Sequence, residues 1–392
     1  MKTGDLQCTV YKKCGGCQLQ NLSYEQQLNF KQRYVEKLLS GFCKVDRIIG
    51  MDTPYHYRNK VQAAFGYDKS KNRIISGVYQ SGTHRIVPVD SCLIEDVKAD
   101  EIIVSIRKLM KDFKFMPYNE DSGRGFIRHV LVKRGFSTGE IMVVIVTGTP
   151  IFPAKNNFVK ALLKLHPDIT TIIHNVNPYR TNLVLGKQEK TLYGKGYIED
   201  KLCGCTFRIS AKSFYQINPV QTEVLYTKAI EFASLTGKEV FFDSYCGTGT
   251  IGIIASRFAK QVIGVELNRD AVKDAISNAK RNEVKNIHFT CADAGAFITG
   301  MAEAGEKVDV VMMDPPRAGS TEEFLDAVVN LAPSRVVYVS CNPETLARDL
   351  SYVTKFGYKV QKIQPVDMFP HTQHVECVTL LSHQDVECKT VD

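Results

Sequence analysis

Residues 239–252 of this 392-residue chain have the sequence EVFFDSYCGTGTIG. An apolar run leads into Asp243, and the glycines Gly247, Gly249 and Gly252 follow it closely. This order predicts a strand, a glycine-rich turn and then a helix, a context in which a nucleotide-type cofactor can approach the backbone closely. The G-x-G-x-x-G spacing alone does not identify that cofactor.

Strand-like and helical stretches alternate from about residue 236 onward. The predicted strands are Glu239–Asp243, Gln261–Leu267, Asn286–Cys291, Val308–Asp314, Arg335–Ser340, Tyr358–Ile363 and His374–Leu381. Such alternation is typical of βαβ units and a mostly parallel sheet. The link between the last two strands is too short for a crossover helix, so that pair is expected to be antiparallel. The α/β pattern therefore predicts a class I, Rossmann-like methyltransferase sheet of seven strands with an antiparallel last strand.

The front of the chain has a different organisation. A capping box at Ser23–Gln26 predicts a helix to about Ser40. Strand-like segments are expected around a second predicted helix, Glu95–Phe113, and together they indicate an α+β domain. These segments are Lys60–Tyr67, Arg73–Tyr79, Phe126–Arg134 and Ile141–Thr147. We therefore expect two domains, residues 1–205 and 206–392. The first contains 31 Lys and Arg against 19 Asp and Glu, a net charge of +12, whereas the second has a net charge of −4. The basic front half favours a polyanionic partner.

Acidic side chains end four successive predicted strands: Asp243, Glu266, Asp293 and Asp314. Both NAD and S-adenosylmethionine (SAM) have a ribose for such a group to bind. Four carboxylates at one edge of a sheet suit a cationic sulfonium better than an anionic dinucleotide. The sequence therefore favours SAM over NAD.

Cys341 lies where a strand should end and a helix begin, in the run Val339-Ser340-Cys341-Asn342-Pro343. The positive end of the following helix is expected to favour its thiolate. A thiolate beside a methyl donor predicts attack on C6 of a pyrimidine, methylation at C5, and removal of the C5 proton by a base. Glu376, in the run His371-Thr372-Gln373-His374-Val375-Glu376, is the candidate base. His371 and His374 are interpreted as pocket or surface residues, since no third metal ligand of standard spacing lies near them.

Cysteines near the start of the chain indicate a metal centre. Cys8, Cys14 and Cys17 form C-x5-C-x2-C, and Cys92 is the preferred fourth ligand. Cys43 and the pair Cys203 and Cys205 are weaker candidates for that position. Four thiolates suit either zinc or an iron–sulfur cluster, and the spacing does not separate the two.

The chain has 12 cysteines, no apolar run near 18 residues, and a start that lacks the layout of a signal peptide. These features predict a cytoplasmic protein with reduced thiols, without a membrane span. We also expect it to act as a monomer.

Several motifs together resemble the RNA uracil-5 methyltransferases, in particular the 4Fe-4S branch that acts on 23S ribosomal RNA. The motifs are C-x5-C-G-G-C at Cys8–Cys17, Ser213–Pro219, the Asp243 loop, Asp314–Gly319, Ser340–Pro343 and His371–Glu376. The resemblance implies Cys341 as nucleophile and Glu376 as proton acceptor. It places Gln216, Tyr245, Glu266 and Asp314 at the SAM site and Cys8, Cys14, Cys17 and Cys92 on a 4Fe-4S cluster.

One departure from that family concerns RNA binding. Many members carry a β-barrel (TRAM) module ahead of the cysteine motif, and the position of Cys8 leaves no room for it here, so we expect the basic half to hold the RNA. The candidate phosphate contacts are Arg58, Lys60, Arg124, Arg128, Lys133 and Arg134, with Phe126 and Tyr179 to stack an unpaired base.

Three other functions remain open from the sequence. A transfer RNA uridine-5 methyltransferase would use the same chemistry. A 5-methylcytidine enzyme would also use a cysteine, although Glu376 would then lack its role. A non-catalytic, metal-bearing RNA-binding protein would explain the basic half but not the combination of Cys341 and Glu376.

Overall fold

The computed structural model describes residues 8–181 and 183–383. The elements of the front half are α1 (Tyr11–Cys14), α2 (Tyr24–Leu39), β1 (Lys60–Asp68), β2 (Arg73–Tyr79), β3 (Ile86–Pro88), α3 (Val97–Asp112), β4 (Ile127–Arg134), β5 (Ile141–Thr147), α4 (Lys155–Leu165), β6 (Ile169–Val176), β7 (Gln188–Tyr193), β8 (Ile198–Leu202) and β9 (Cys205–Ile209). Helix α2 begins with the predicted capping box, in which Ser23 and Gln26 satisfy each other's backbone N–H groups.

The first sheet has the strand order β3-β2-β1-β4-β5-β6-β7. Its pairs are antiparallel except β5 with β6, which α4 connects as a parallel crossover. Every residue of β5 is buried because both faces of the sheet are covered. Helices α3 and α4 pack on one face, whereas residues such as Met142 and Val144 on the other face pack against the β8–β9 hairpin and the second half of the chain.

The second half contains α5 (Pro219–Ala233), β10 (Val240–Ser244), α6 (Thr250–Ala255), β11 (Gln261–Glu266), α7 (Arg269–Arg281), β12 (Ile287–Cys291), α8 (Ala294–Glu303), β13 (Val310–Met313), α9 (Glu322–Leu331), β14 (Arg335–Ser340), α10 (Pro343–Val353), a 3₁₀ turn (Thr354–Phe356), β15 (Tyr358–Val366) and β16 (Glu376–His383). The strand order is β12-β11-β10-β13-β14-β16-β15. Six strands run in the same direction, and β16 is antiparallel to both of its neighbours, β14 and β15. The predicted seven-stranded α/β sheet with its antiparallel last strand is therefore confirmed.

Helix α2 belongs to the hydrophobic core of the second sheet rather than to that of the first. Val35 and Leu39 are fully buried and lie in the same apolar cluster as Val360 and Ile363 of β15. The chain after α2 then runs beside β15, with a parallel bridge between Val45 and Ile363. A division at residue 205 stays a prediction, and the packing of α2 shows that residues from the front of the chain complete the core of the second sheet.

No helix within residues 8–181 and 183–383 is both long enough and apolar enough to cross a bilayer.

Candidate active site

Cys341 occupies the turn between β14 and α10 at the carboxyl edge of the second sheet. The Asn342 side chain accepts a hydrogen bond from the Glu344 N–H (3.1 Å) and donates one to the Arg317 carbonyl (3.2 Å). Pro343 occupies the first turn of α10, as predicted. These local bonds fix the turn, so the position of the sulfur is set by β14 and α10 together.

A cavity of about 390 Å³ opens beside Cys341. Phe30 and Tyr34 of α2 form one wall, and Arg317, Gln373 and His374 form others. Tyr34 also donates a hydrogen bond to Glu344 (3.0 Å), which joins α2 to the start of α10. The cavity therefore lies between a helix from the front of the chain and the loops of the second sheet.

The Cys341 thiol is less acidic than its place at the start of a helix led us to expect. Burial raises its pKa to about 11, the charges of Glu376 and Asp314 act in the same direction, and Arg317 opposes them. The expected depression of the pKa is therefore wrong for the protein without its ligands, because burial and two carboxylates outweigh the dipole of α10.

Glu376 begins β16 and lies next to the Cys341 turn through the register of the sheet. Ser340 pairs with Cys377, so the next residues along the two antiparallel strands are Cys341 and Glu376. Glu376 is only 4% exposed. Burial raises the pKa of Glu376 to about 8, with Asp314 adding to the shift and Arg317 opposing it. The structure thus places the candidate nucleophile next to the candidate base, which lies 35 residues later in the sequence.

Asp314 follows β13 and interacts electrostatically with both residues. Burial raises its pKa to about 7. Asp243, at the end of β10, is 1% exposed, and its carboxylate accepts a hydrogen bond from the Gly252 N–H (2.8 Å). Burial raises the pKa of Asp243 to about 8, and Asp314 and Glu266 add to the shift. Three carboxyl groups with raised pKa values at one site fit a cationic ligand, whose charge would favour their ionised forms.

The other two strand-end carboxylates bind backbone N–H groups of nearby loops. Glu266 accepts from Gly247 (3.1 Å) in the glycine-rich turn and from Asn268 (2.7 Å). Asp293 accepts from Ala296 (2.9 Å) and caps α8. Glu266 therefore contacts the glycine-rich turn directly, whereas the observed contact of Asp293 is that of a helix cap.

Gln216 and Tyr245, which only the family resemblance had implied, also lie at this edge. Tyr245 adopts a positive φ of 61° in the glycine-rich turn, and its ring lies 5.2 Å from that of Phe324. The Gln216 side chain is hydrogen-bonded to the hydroxyl of Tyr226, a buried residue of α5. Burial is the main cause of the raised pKa of Tyr226. The carboxylates of Asp314, Glu376 and Asp243 raise it further.

Tyr226 is a contact of the site that sequence reasoning missed. Within α5 it has the spacing of an ordinary core aromatic, and no local signal distinguishes it. Arg317 lies in the Asp314–Gly319 motif, which assigns it no role. Its positive charge lowers the pKa of both Cys341 and Glu376.

The two histidines before Glu376 differ in their surroundings. His371 is 2% exposed, its Nε2 lies 2.9 Å from the Pro54 carbonyl oxygen, and its Nδ1 lies 3.2 Å from the Gln27 amide. His374 lines the cavity, and burial followed by the charge of Arg317 lowers its pKa. His371 is therefore a structural residue, whereas His374 faces the candidate substrate cavity.

The four candidate cluster ligands share one region of the front half. Burial raises the pKa of Cys17 to about 12, and charges on Cys14 and Cys8 add to it, so these three thiols are neighbours. Cys17 and Cys92 both pack against the small apolar group of Met51, Tyr57 and Ile94. Within residues 8–181 and 183–383, however, no three His, Cys, Asp or Glu side chains have the arrangement of a metal site.

The alternative fourth ligands lie elsewhere. Cys43 packs against the core of the second sheet, and Cys203 packs with the β8–β9 hairpin near Arg257. Thiol chemistry and proximity therefore fit Cys92 best as the partner of the three N-terminal cysteines, and the 4Fe-4S cluster itself stays a prediction.

Three of the candidate RNA contacts are buried and cannot reach a phosphate or a base. Arg128 is 3% exposed and forms an ion pair with Glu120 (2.6 Å). Lys133 is 5% exposed and donates to the carbonyls of Ser210 (2.8 Å) and Ser213. Phe126 lies in the core of the first sheet. These three predictions are wrong, because the side chains make contacts inside the protein instead.

The remaining candidates keep access to solvent. Arg124 is exposed, and Tyr179 is 65% exposed. Arg58 and Lys60 are partly buried, and the charge of Arg58 acts on Cys14 and Cys17. Arg134 forms an ion pair with Asp96 (2.7 Å). These five residues remain predictions for RNA contact.

Comparisons with known proteins agree with this geometry. The family model described as tRNA (uracil-5-)-methyltransferase matches residues 23–384. An uncharacterised RNA methyltransferase of Clostridium acetobutylicum is 44% identical over 385 residues, which cover 96% of this chain and 83% of the relative. One from Halalkalibacterium halodurans is 43% identical over 379 residues, covering 95% and 82%.

A solved structure shows the same likeness. The crystal structure of the Pyrococcus abyssi tRNA (uracil-54, C5)-methyltransferase, in complex with S-adenosyl-L-homocysteine, is similar with a TM-score of 0.78 and 30% identity. The match covers 93% of this chain and 85% of that one. The sheet, the site at its carboxyl edge and these matches lead to one conclusion. The chain belongs to the RNA (uracil-5-)-methyltransferase family and is a SAM-dependent RNA methyltransferase.

Proposed function

We propose that the protein forms 5-methyluridine in 23S ribosomal RNA, with Cys341 as the nucleophile and Glu376 as the base. The observation that carries this proposal is the meeting of the Cys341 thiol with the carboxyl groups of Glu376 and Asp314 beside an open cavity. A thiol near carboxyl groups suits a reaction that needs one transient bond between enzyme and base and the removal of one proton.

The proposed sequence of bonds begins when the Cys341 thiolate adds to C6 of the uracil, which makes C5 nucleophilic. SAM held beside Asp314 and Glu266 would supply the electrophilic methyl group for C5 and would leave as the neutral thioether. The Glu376 carboxylate removes the proton from C5, and the C6–sulfur bond breaks to return the thiolate. Arg317 lowers the pKa of both Cys341 and Glu376, so it favours the ionised form that each step needs.

The cofactor is proposed to lie against Gln216, Tyr245, Glu266 and Asp314. Glu266 contacts the glycine-rich turn, Tyr245 belongs to it, and Asp314 follows the neighbouring strand β13. The Gln216 side chain lies at the same edge, where it is hydrogen-bonded to Tyr226. The carboxylates suit the positive sulfonium and the ribose hydroxyl groups.

The target base is proposed to enter the cavity lined by Phe30. This side chain is 46% exposed although it is a large aromatic, and it shares the cavity with Cys341. A uracil that leaves its stack to reach the thiol needs a new stacking partner, which an exposed aromatic ring supplies.

A transfer RNA target is the second candidate. It is favoured by the family description and by the transfer RNA enzyme of Pyrococcus abyssi, which is 30% identical. Mass spectrometry of nucleosides from separately purified 23S and transfer RNA, in a gene-deletion strain and its parent, tests both. Loss of 5-methyluridine from 23S RNA alone supports the proposal, and loss from transfer RNA alone replaces its substrate. Loss of 5-methylcytidine, or no loss, contradicts the proposed reaction.

We also propose that Cys8, Cys14, Cys17 and Cys92 hold a 4Fe-4S cluster with a structural role, since the chemistry above requires no electron transfer. Anaerobic purification followed by iron and sulfide assays tests this. Cys17→Ser should lose the cluster, whereas Cys43→Ser, altered at a cysteine of similar partial exposure, should keep it. Zinc without sulfide would contradict the iron–sulfur assignment.

The protein is further proposed to act as a cytoplasmic monomer. Light scattering of the purified protein should give the mass of one 44.0 kDa chain. A mass of two chains would contradict this part of the proposal.

A further inference from the structure

The loop between β15 and β16 (residues 367–375) leads directly to Glu376, and remote residues hold its backbone. The hydrogen bonds run from Asp367 N to Ile49 O (2.9 Å), Asn218 Nδ2 to Met368 O (2.9 Å), Tyr57 Oη to Pro370 O (3.0 Å), His371 N to Gln27 Oε1 (2.8 Å), Leu19 N to His371 O (3.0 Å) and Gln373 N to Gln18 Oε1 (3.3 Å). Five of these six partners come from residues 18–57. The front of the chain therefore sets the shape of this loop.

A buried ion pair lies at the start of the loop. Lys31 Nζ of α2 donates to Asp367 Oδ1 (2.6 Å), and both side chains have no exposed surface. Lys31 also donates to the Phe369 carbonyl (3.0 Å). The second carboxylate oxygen accepts from the Tyr24 hydroxyl (2.9 Å), which in turn accepts from the Met51 N–H (2.8 Å). Each charged group of the pair thus has hydrogen-bonding partners in addition to its counter-ion.

Stability alone does not explain the presence of such a buried ion pair. Removing two charges from water costs about as much as their attraction returns, and apolar residues of similar volume often stabilise a core equally well. A buried ion pair with several directed hydrogen bonds does, however, specify one geometry. The geometry specified here is that of Asp367, which directly follows Val366, and Val366 pairs with Glu376 in the β15–β16 hairpin.

We infer that Lys31 and Asp367 are positioning residues that hold the Glu376 carboxylate in place for removal of the C5 proton. This inference rests on the proposed function and adds to it a role for α2. The Cys341 turn is held instead by Asn342 and the Arg317 carbonyl. Loss of the ion pair should therefore slow release of the RNA from Cys341 more than it slows addition and methyl transfer.

The test follows one turnover on an RNA substrate and measures two rates: formation of the methylated covalent adduct and its breakdown to product. Lys31→Met and Asp367→Asn should release RNA about 10-fold more slowly, with adduct formation changed by less than about 3-fold. The double variant Lys31→Met/Asp367→Asn leaves no unpaired buried charge, so it provides the same measurement if a single variant does not fold.

Lys133→Met is the matched control. Lys133 is also a buried lysine that donates to two carbonyls, but its partners, Ser210 and Ser213, lie outside the loop. It should leave the ratio of the two rates unchanged. An equal slowing of both rates in the Lys31 and Asp367 variants, or a rise in KM for RNA alone, would overturn the positioning role. Absence of any adduct in the unaltered enzyme would instead contradict the proposed function.

Discussion

At the scale of single residues, the proposed chemistry depends on groups that hold their protons more tightly than exposed groups do. Glu376 has a pKa raised to about 8 by burial and by Asp314, and Cys341 has a pKa raised to about 11. A base whose pKa lies near the working pH is suited to accept a proton in one step and return it in another. The shared environment that makes Cys341 a weak acid thus makes Glu376 an effective base.

Glu376→Gln is expected to retain addition and methyl transfer but to stall afterwards, because an amide cannot remove the C5 proton. Turnover should fall by about 10²–10⁴-fold. Denaturing gel electrophoresis with labelled RNA should show methylated RNA attached to the protein.

Cys341→Ala is the control for that experiment and should form no adduct. Normal turnover by Glu376→Gln would show that another group removes the proton.

Phe30→Ala is expected to weaken capture of the flipped base, since stacking on an aromatic ring contributes about 1–3 kcal/mol. The KM for RNA should rise, or adduct formation should slow, by about 10- to 100-fold, while binding of SAM alone stays the same. Phe258→Ala, altered at a phenylalanine of similar exposure (48% against 46%) outside the cavity, is the control. Equal effects of the two substitutions would contradict a stacking role.

At the scale of elements, the carboxyl edge of the second sheet concentrates acidic groups. Asp243 lies at the end of β10, Asp314 follows β13 and Glu376 begins β16, and their pKa values are raised to about 8, 7 and 8. The parallel strands end, and the antiparallel β16 begins, at this one edge, which is why residues far apart in sequence affect each other's protonation.

These raised values predict a stability that falls with pH in the cofactor-free protein. Between about pH 4.5 and pH 8, these three carboxyl groups are protonated in the folded protein and ionised in the unfolded protein. Their contribution to the free energy of unfolding is therefore complete at low pH and is lost as the pH rises through 7–8. Each contributes a slope of at most about 1.4 kcal/mol per pH unit in that window.

Denaturant unfolding at several pH values measures this slope. Glu376→Gln should be less sensitive to pH than the unaltered protein, whereas Glu322→Gln, altered at an exposed glutamate, should match it. An unchanged slope in Glu376→Gln would contradict the raised pKa of Glu376.

The elements also show what sequence patterns predict well. The bounds of β2, β5 and β14 match the expected segments, and the others differ by a few residues at their ends. Short-range signals define these elements: β-branched runs, capping residues and tight turns. Strands β3, β6, β7, β8 and β9 have no counterpart among the predicted segments; β3, β8 and β9 are short, and β7 is largely exposed.

At the scale of the whole molecule, the two halves of the chain share their cores. Leu39 of α2 is fully buried against the second sheet, and Phe207 of β9 packs in the same cluster as Phe241 of β10. The first 205 residues have a net charge of +12, but Lys31, Arg128 and Lys133 are buried and form internal contacts, so only the exposed basic side chains stay candidates for RNA contact.

A fragment of residues 206–392 is therefore expected not to fold cooperatively, because α2 and strand β8 are missing from its core. Circular dichroism during thermal unfolding should show no sharp transition. A matched fragment joins residues 19–51 by a flexible linker to residues 198–392. This fragment should show a sharp unfolding transition. Cooperative unfolding of the shorter fragment would support the division at residue 205 instead.

The sequence by itself determined the order of the strands from about residue 236 onward, the class of the second sheet, and Cys341 and Glu376 as candidates, because these depend on local patterns and motifs. Only the tertiary structure decided that Arg128 and Lys133 are buried, that the Cys341 thiol is a weaker acid than its helix implies, and that Lys31 meets Asp367. The physical reason is that burial and charge coupling depend on contacts between residues hundreds of positions apart, which no short stretch of sequence records.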